Sequence, residues 1–553
     1  MTVGRITSRV LVIGLGVATC TLAAPKPIDP IQNPSSTVAV PEATTTSTAP
    51  ECSTKGIAGA PIVDSDASGL AIAISRAGFD CADAVVVAGG GDANLMVGAQ
   101  LAAAAGGPLL VAGDDDDAVT SEIARLGATM VYVVGEVASS PREGIDSRTL
   151  TIDEALGETQ ALLGGVPLLQ ATGSRGLARA VIGALHGSAV LTGAFESDLP
   201  TDAEWVADNA RRTDTVWLAD GSRPDLLAPV LAAAGARGET LLLVDPLDLR
   251  RPQATVAALR AIDPGQTIAA GSFAPGQLEW QLPVLRSAPE LPGGGLVFYP
   301  GRRLVALYGN PTTSALGVLG EQSAEESVQR AIDVGQGYES DGVPVLPSFE
   351  IIATVASAFA GDDNDYSQEM SLEVLRPWIE VAAENGIYVI LDLQPGRTDF
   401  LTQAKRYEEF LRLSHVGLAL DSEWRLEPDQ VHLRQIGSVD AAEINTVVDW
   451  LAQVVREENL PQKYLLLHQF RLDMITNRDQ INTPPELAVV IQMDGQGPLP
   501  TKYDTWNALT AGTDDAGFTW GWKNFYDEDI PRGGATPAEV LDLTPVPGYV
   551  SFQ

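Results

Sequence analysis

The sequence of 553 residues is poor in basic side chains, in histidine and in cysteine. Its 35 lysines and arginines stand against 72 aspartates and glutamates, so the formal net charge is −37. This charge repels nucleic-acid phosphates and anionic lipid headgroups, which argues against nucleic acid as a partner. Because the chain has only four histidines and three cysteines, clustered nitrogen and sulfur ligands are scarce, and we expect no metal site.

The N-terminal segment also lacks an apolar run long enough to span a bilayer. Arg5 and Arg9 precede the apolar residues 10–18, and this composition is typical of a signal peptide. We therefore expect residues 1–24 to direct export and to take no part in the fold. Residues 17–20, Val-Ala-Thr-Cys, resemble a bacterial lipobox. By that resemblance Cys20 is a lipidation site, and its lipid would be the only contact with a membrane.

The two other cysteines, Cys52 and Cys81, form an even pair that suits one disulfide in an oxidising compartment. The alternative is that both are unpaired, small core residues. Residues 25–51 are rich in Pro, Thr, Ser and Ala, the composition of a tether. The folded part is therefore expected to begin near Cys52, outside the cytoplasm.

Short apolar runs alternate with helical segments in the first half of the chain, at residues 84–88, 109–112 and 130–134. The connecting segments are too long for hairpins, so the order is β-α-β-α-β in a doubly wound parallel sheet. The same order returns at residues 215–221, 241–244 and 267–271, which indicates a duplication. Residues 188–200 form a third, shorter copy.

Several landmarks in this half carry a resemblance to a known family: residues 68–79, 85–91, 107–110, 131–135 and 172–178. They resemble the cell-wall-binding repeat type 2 modules of Gram-positive surface proteins. The resemblance covers residues 57–280 and implies non-covalent attachment to an envelope polymer.

Two other patterns in this half suggest a ligand but fail on spacing. The glycines at 89–91 precede a helix, as in phosphate-binding loops, yet the chain has neither GxGxxG nor a Walker lysine, so we expect no nucleotide cofactor. Residues 114–117 are four consecutive aspartates, which lack the alternating ligands of a calcium loop.

After a Pro- and Gly-rich linker at residues 287–295, the chain changes character. Eight short apolar runs follow, at residues 304–308, 343–349, 388–393, 416–420, 464–467, 488–492, 517–520 and 549–552. Helix-compatible segments separate most of them, which predicts a (β/α)8 barrel over residues 296–553. The fold class is therefore α/β, with doubly wound parallel repeats over residues 52–286 followed by this barrel.

Reactive groups in such barrels lie at the carboxyl ends of the strands. The acidic residues there are the candidate catalytic residues Asp392, Asp421, Glu423 and Asp494. The candidate substrate-binding residues are Glu350, Gln394, Trp424, His468, Gln492, Trp520 and Trp522. Residues two apart on a strand share a face, so one inward direction brings the carboxylates into one funnel, where they raise one another's pKa.

Residues 418–424, Leu-Ala-Leu-Asp-Ser-Glu-Trp, resemble the fourth-strand segment of chitinase-like and lysozyme-like glycosidase barrels. The resemblance implies that Glu423 is the acid and that Asp421 orients either an N-acetyl group or the acid. A hydrolysis that pairs Glu423 with Asp392 or Asp494 is the alternative.

The sequence therefore favours an exported glycoside hydrolase that acts on a cell-wall or envelope polysaccharide. Two alternatives remain open. One is a non-catalytic glycan-binding lipoprotein of the envelope, and the other is a surface scaffold whose acidic residues form a solvated rim.

Overall fold

The computed structural model describes Cys52 and residues 56–57, 61–113, 116–137, 144–170, 190–192, 214–245, 247–251, 253–339, 342–513 and 517–553. All described residues belong to one compact unit, Cys52–Gln553. The predicted signal peptide, Cys20, the tether and residues 172–178 lie outside the described residues, as does most of the third copy. Within the described part, no helix has the length and apolarity that a membrane crossing requires.

The first half of the described chain alternates strands and helices. Its elements are β1 Ile62–Val63, α1 Ala67–Gly78, β2 Ala84–Ala88, α2 Asp92–Ala105, β3 Leu109–Val111, α3 Asp116–Leu126, β4 Met130–Val134, β5 Asp146–Leu150, α4 Ile152–Leu162, β6 Leu168–Gln170, β7 Val190–Thr192, β8 Thr215–Asp220, α5 Pro224–Arg237, β9 Thr240–Val244, α6 Gln253–Ile262, β10 Gln266–Gly271 and α7 Pro275–Ser287.

Two four-stranded sheets in this half have the same parallel strand order, as the predicted duplication requires. The first runs β3-β2-β4-β5, and the second runs β9-β8-β10-β1. The short strand β1 comes from the start of the chain, yet it takes in the second sheet the place that β5 takes in the first. The two ends of this half are therefore joined by one sheet.

Helices α2 and α5 pack against each other, one from each copy. Their sequences, DANLMVGAQLAAAA and PDLLAPVLAAAGAR, are apolar and rich in alanine on every side. A helix without a polar face is stable only when it is surrounded by protein. The middle turns of both helices are accordingly buried in a single core that spans both copies.

The predicted pairing of Cys52 with Cys81 is confirmed, with the two Cα atoms 5.4 Å apart. The disulfide joins Cys52, which precedes the start of β1 by ten residues, to the loop after α1. It closes a loop of 29 residues, which limits the conformations of the unfolded chain.

The described part of the second half contains seven further α-helices, the eight strands of the barrel and three short strands in its loops. In chain order they are β11 Arg303–Gly309, α8 Ala324–Gln336, β12 Val345–Ala356, β13 Ser367–Glu369, α9 Leu372–Glu384, β14 Tyr388–Leu393, α10 Phe400–Arg406, α11 Glu408–Leu411, β15 Val416–Asp421, β16 Val439–Asp440, α12 Ala441–Glu457, β17 Lys463–Gln469, β18 Ile475–Thr476, β19 Leu487–Met493, α13 Leu499–Thr510, β20 Thr519–Asn524, α14 Pro537–Leu541 and β21 Tyr549–Phe552.

The predicted (β/α)8 barrel is confirmed. Eight parallel strands pair in the order β11-β12-β14-β15-β17-β19-β20-β21, and β21 pairs with β11 to close the barrel. Strand β13 is antiparallel and adds only to the end of β12. A break in register between Ile352 and Thr354, where β12 meets β14, lies close to the carboxyl ends of both strands.

The barrel interior has two contrasting layers. The lower layer, at the amino ends of the strands, contains Tyr388, Tyr464 and Tyr549 and is covered by Phe298. The absence of a side chain at Gly417 leaves room for Tyr464, because a Cβ at position 417 would lie 2.8 Å from the Cβ of Tyr464. The upper layer, at the carboxyl ends, is formed by polar and charged side chains.

Candidate active site at the barrel mouth

The upper layer consists of residues that follow the tyrosine layer along the same inward faces of the strands. Its members are Tyr308, Glu350, Asp392, Asp421, His468, Gln492, Lys523 and Ser551, and all are buried. Asp494 lies directly after β19 at the top of the layer, and its side chain is 8% exposed. Alternation along each strand, with period two, therefore places these groups together.

His468 is the centre of this layer. Its Nε2 lies 2.7 Å from Oε1 of Glu350, and its Nδ1 lies 2.6 Å from Oδ2 of Asp494. Burial opposes a charge on the ring, but Glu350 and Asp392 outweigh it and raise the pKa of His468 well above its usual value. The ring is therefore an imidazolium that donates a hydrogen bond from each nitrogen.

This protonation state bears on metal binding. Glu350, Asp392 and His468 lie close enough together to hold an ion, and so do Asp421, His468 and Asp494. However, a histidine ligand must present a nitrogen lone pair, and both nitrogens of His468 carry protons directed at carboxylates. The donor set of the described cage therefore suits a buried cation–carboxylate network better than a metal.

Lys523 is the second cation of the cage. Its Nζ lies 3.1 Å from Oδ1 of Asp494 and 3.5 Å from the centre of the Tyr308 ring. Burial opposes ionisation of Asp494, but Lys523 and His468 outweigh it and lower the pKa of that carboxyl. Asp494 is therefore ionised and held between two cations.

The buried carboxyls of Asp392 and Asp421 hold their protons to a higher pH than ordinary carboxyls do. Burial raises the pKa of Asp392 to about 7, although His468 partly offsets this effect. Tyr308 donates a hydrogen bond to Oδ2 of Asp392 at 3.0 Å. Burial, with a smaller contribution from Asp392, also raises the pKa of Asp421 well above its usual value. Five carboxyls share the mouth with two cations, and protonation of some of them keeps the layer near neutrality.

Glu423 differs from the buried carboxyls because it is only partly covered. It lies in the single helical turn Ser422–Trp424 that follows β15, and its backbone N–H donates to Oδ1 of Asp421 at 3.1 Å. Burial, followed by the negative charge of Asp494, raises its pKa to about 7. Neighbouring carboxyls at the mouth thus differ in protonation state, with Glu423 protonated below pH 7 and Asp494 ionised.

An aromatic edge borders the mouth. The Trp424 ring lies 5.3 Å from the ring of His432, which in turn lies 6.3 Å from the ring of Tyr366. The guanidinium of Arg397 lies 4.4 Å above the Tyr366 ring. Tyr366 has φ 65°, a left-handed conformation that is strained for a bulky side chain and recurs at functional sites.

Two of the predicted substrate-binding residues act here as internal supports. Gln394 accepts from the backbone N–H of Ala356 at 2.9 Å and donates to Tyr308 at 3.4 Å. Gln492 donates to the hydroxyl of Ser551 at 2.5 Å. Both amides therefore hold the upper layer together from within.

The structure places Trp520 and Trp522 away from the mouth. Strand β20 extends to Asn524 rather than ending at residue 520, so both tryptophans lie on its outward face. They contact Trp506 of α13, with ring centres 6.0 and 5.9 Å apart. The expectation that they face a substrate at the mouth is corrected, because period two directs Gly521 and Lys523 inward instead.

The predicted site residues leave out three members of the cage: Tyr308, Lys523 and Tyr549. Tyr549 belongs to the lower layer, and its hydroxyl donates a hydrogen bond to Oε2 of Glu350 at 2.6 Å. The signal for Lys523 was present, since the alternation Trp-Gly-Trp-Lys puts it on the same face as Gly521. The two tyrosines gave no such signal, because a tyrosine in a strand is ordinarily a packing residue.

Comparisons with known proteins give few similarities. No protein-family model and no curated protein matches the chain. Solved structures similar to it include the Clostridium difficile cell-wall proteins Cwp6 and Cwp8. Cwp6 is 13% identical with a TM-score of 0.35, covering 63% of this chain and 65% of the Cwp6 chain. Cwp8 is 12% identical with a TM-score of 0.31, covering 40% of this chain and 51% of the Cwp8 chain.

The chain thus spans less than two thirds of the length of either structure. Since both TM-scores are below 0.5, the architecture and the site rest on the residues of this chain alone.

Proposed function

We propose that the protein is an exported, envelope-associated glycoside hydrolase that cleaves a cell-wall or envelope polysaccharide at the mouth of the barrel. One observation carries this proposal: Glu423 and Asp494 are neighbouring carboxyls whose pKa values are shifted in opposite directions. Glycoside hydrolysis requires one protonated and one ionised carboxyl beside the scissile bond.

In this mechanism Glu423 is the general acid. Its raised pKa keeps the proton available near neutral pH, and its partial exposure lets the carboxyl meet a glycosidic oxygen. Asp421 accepts the backbone N–H of Glu423 and so positions the acid. Asp494 is the ionised partner, which stabilises the positive charge that develops on the sugar ring or attacks its anomeric carbon.

The buried cage keeps these two protonation states apart. Lys523 and His468 hold Asp494 ionised, while Glu350 and Asp392 hold His468 charged. Asp392 is fully buried and is therefore assigned to this electrostatic support instead of to contact with substrate. Trp424, with His432 and Tyr366, offers the apolar ring faces on which sugars stack.

The decisive experiment incubates the exported protein with purified Gram-positive cell walls, peptidoglycan and wall polysaccharides, and measures released saccharides by mass spectrometry. Glu423→Gln and Asp494→Asn should each lower the release rate by about 10²–10⁴-fold, the range for loss of an acid or base catalyst. Glu427→Gln and Asp479→Asn remove matched exposed carboxylates and should leave the rate unchanged. The proposal fails if the wild type releases nothing, or if the two site variants release saccharide at the wild-type rate.

A second candidate is a non-catalytic glycan-binding protein of the envelope. It is favoured by the burial of Glu350, Asp392 and His468, which are closed to substrate, and by the hydrogen bond between His468 and Glu350. Sedimentation with purified cell walls, without release of any saccharide, would select this function. Its binding should be weakened by Trp424→Ala and unaffected by Glu423→Gln.

A further inference from the structure

A second site is indicated at the opposite end of the barrel from the mouth. A cavity of about 430 Å³ lies where the loop between β9 and α6 meets the segment before β11. The loop contributes Asp245, Arg250 and Arg251, the first turn of α6 contributes Gln253, and the segment contributes residues 295–297 and 300–302. Three arginines line one cavity in a chain with a net charge of −37.

Arg250 is fully buried and only partly satisfied. Its Nε and Nη2 clamp the carboxylate of Asp248 at 2.8 and 2.7 Å, and its guanidinium lies 4.9 Å from the centre of the Trp280 ring. Nη2 also donates to the backbone oxygen of Pro485 at 2.5 Å. Among the described residues, however, Nη1 of Arg250 has no hydrogen-bond partner.

Arg251 repeats this pattern. Its Nη2 donates to the backbone oxygen of Tyr299, whereas its buried Nε finds no acceptor in the described part of the chain. Arg302 is held by the backbone oxygens of Pro292, at 3.0 Å, and Gly294. Hydrogen bonds to protein acceptors thus fix the guanidiniums of Arg250, Arg251 and Arg302 in place.

The charges of the cavity lining are unbalanced. Asp248 neutralises Arg250, but a single lining carboxylate, that of Asp245, stands against Arg251 and Arg302. Oδ1 of Asp245 is already engaged by the backbone N–H of Leu247 at 2.8 Å. Buried guanidiniums without matching carboxylates are destabilising, and an oxyanion in the cavity would offset their positive charge.

We propose that this cavity binds the oxyanion of a phosphorylated or carboxylated saccharide, with the guanidiniums of Arg250, Arg251 and Arg302 supplying its positive charge. Guanidinium groups match phosphate and carboxylate oxygens in both charge and geometry. The site is independent of the barrel mouth, so it requires no hydrolytic activity. It would give the protein a second binding site for an anionic polymer.

The test is calorimetric titration of the full protein with inorganic phosphate, glucose 6-phosphate and glucuronate, at constant ionic strength in chloride. Wild-type protein should bind at least one of them with measurable heat and a raised melting temperature. Arg251→Gln should weaken that binding about tenfold or more, because a charge-assisted hydrogen bond is lost. Arg532→Gln, which removes an arginine whose side chain is 80% exposed, is the matched control and should change the affinity little.

The ligands separate the possible sources of the oxyanion. Binding of glucose 6-phosphate alone, or of glucuronate alone, supports the proposal and identifies the anionic group on the saccharide. Inorganic phosphate that binds as tightly as glucose 6-phosphate would overturn the saccharide part, because the cavity would then be a site for free phosphate. Absence of binding by all three, or an unchanged affinity in Arg251→Gln, would overturn the site itself.

Discussion

The two interior layers of the barrel lie on the same faces of the same strands, yet they hold opposite kinds of side chain. The lower layer is a set of interlocking tyrosines around Tyr464, and the upper layer is a network of charges around His468. Along β17 the two residues are only four positions apart. The comparison teaches that one alternating pattern can build both a packed floor and a reactive mouth, depending on which end of the strands it occupies.

The largest expected effect comes from removing the cation at the centre of the upper layer. His468→Leu leaves Glu350 and Asp494 buried without their shared donor, and it should lower the free energy of unfolding by about 3–5 kcal/mol. Urea denaturation at pH 7 measures this loss. His432→Leu, at the half-buried edge of the mouth, should cost less than a third as much; equal costs would show that the upper layer is not an ionic network.

The lower layer should respond to volume instead of charge. Gly417→Ala places a Cβ 2.8 Å from both the Cβ and the backbone oxygen of Tyr464, and this overpacking should cost about 1–3 kcal/mol. Gly276→Ala, in α7 with open space around the new Cβ, is the control and should be neutral or slightly stabilising. Denaturation midpoints of the two variants give the comparison, which is contradicted if Gly417→Ala is tolerated equally well.

The pH dependence of stability distinguishes the layers further. Asp392 has a folded-state pKa raised to about 7, so the folded protein holds a proton that the unfolded chain loses above pH 4. Its contribution to stability is complete below pH 4 and is lost as the pH rises to about 7. In Asp392→Asn the free energy of unfolding should fall less steeply over this range, by on the order of 1 kcal/mol per pH unit.

Gly417→Ala, in contrast, should lower stability without altering that slope, because the lower layer contains no carboxyl. Denaturation curves at pH 4, 5, 6 and 7 for the wild type and both variants test this difference. Parallel curves for Asp392→Asn and the wild type would rule out the raised pKa of Asp392.

The smallest effect on stability is expected at the edge of the mouth. Trp424 is partly exposed, so Trp424→Ala should cost at most about 1 kcal/mol of stability, while glycan affinity falls several-fold as stacking area is lost. Phe359→Ala is the control, since Phe359 is 80% exposed. Equal glycan affinities for Trp424→Ala and the wild type in sedimentation with cell walls would remove Trp424 from the binding surface.

The sequence was sufficient to predict the barrel and the inward direction of most acids, because apolar runs and period two are local signals. Asp392, Asp421 and His468 were placed at the carboxyl ends of their strands, where the structure has them. The predicted end of β20 is too early, and this single boundary places two tryptophans on the wrong face and leaves Lys523 out of the predicted site residues. A continuous strand of mixed polar and aromatic residues has no apolar run to mark where it ends.

Other features depend on contacts between distant residues and could not be inferred locally. The pair Ile62–Val63 is too short to give a strand signal, and only its neighbour β10, about 200 residues later, makes it a strand. The raised pKa of Glu423 likewise arises from burial and from Asp494, and the lowered pKa of Asp494 arises from Lys523 and His468, which outweigh burial. Both the strand β1 and these pKa shifts depend on packing between segments that are distant in the sequence, and no local pattern records such packing.

The disulfide between Cys52 and Cys81 has a mechanical consequence. When a force is applied to the chain before Cys52, two covalent paths lead onward from Cys52. One follows the backbone of residues 53–80, and the other is the disulfide bond to Cys81. The covalent bridge is much the shorter path, so it becomes taut first and carries the tension directly to Cys81. Strand β1 and helix α1 lie inside the bypassed loop and are spared the load, and the sheet that β1 shares with β10 stays closed under tension.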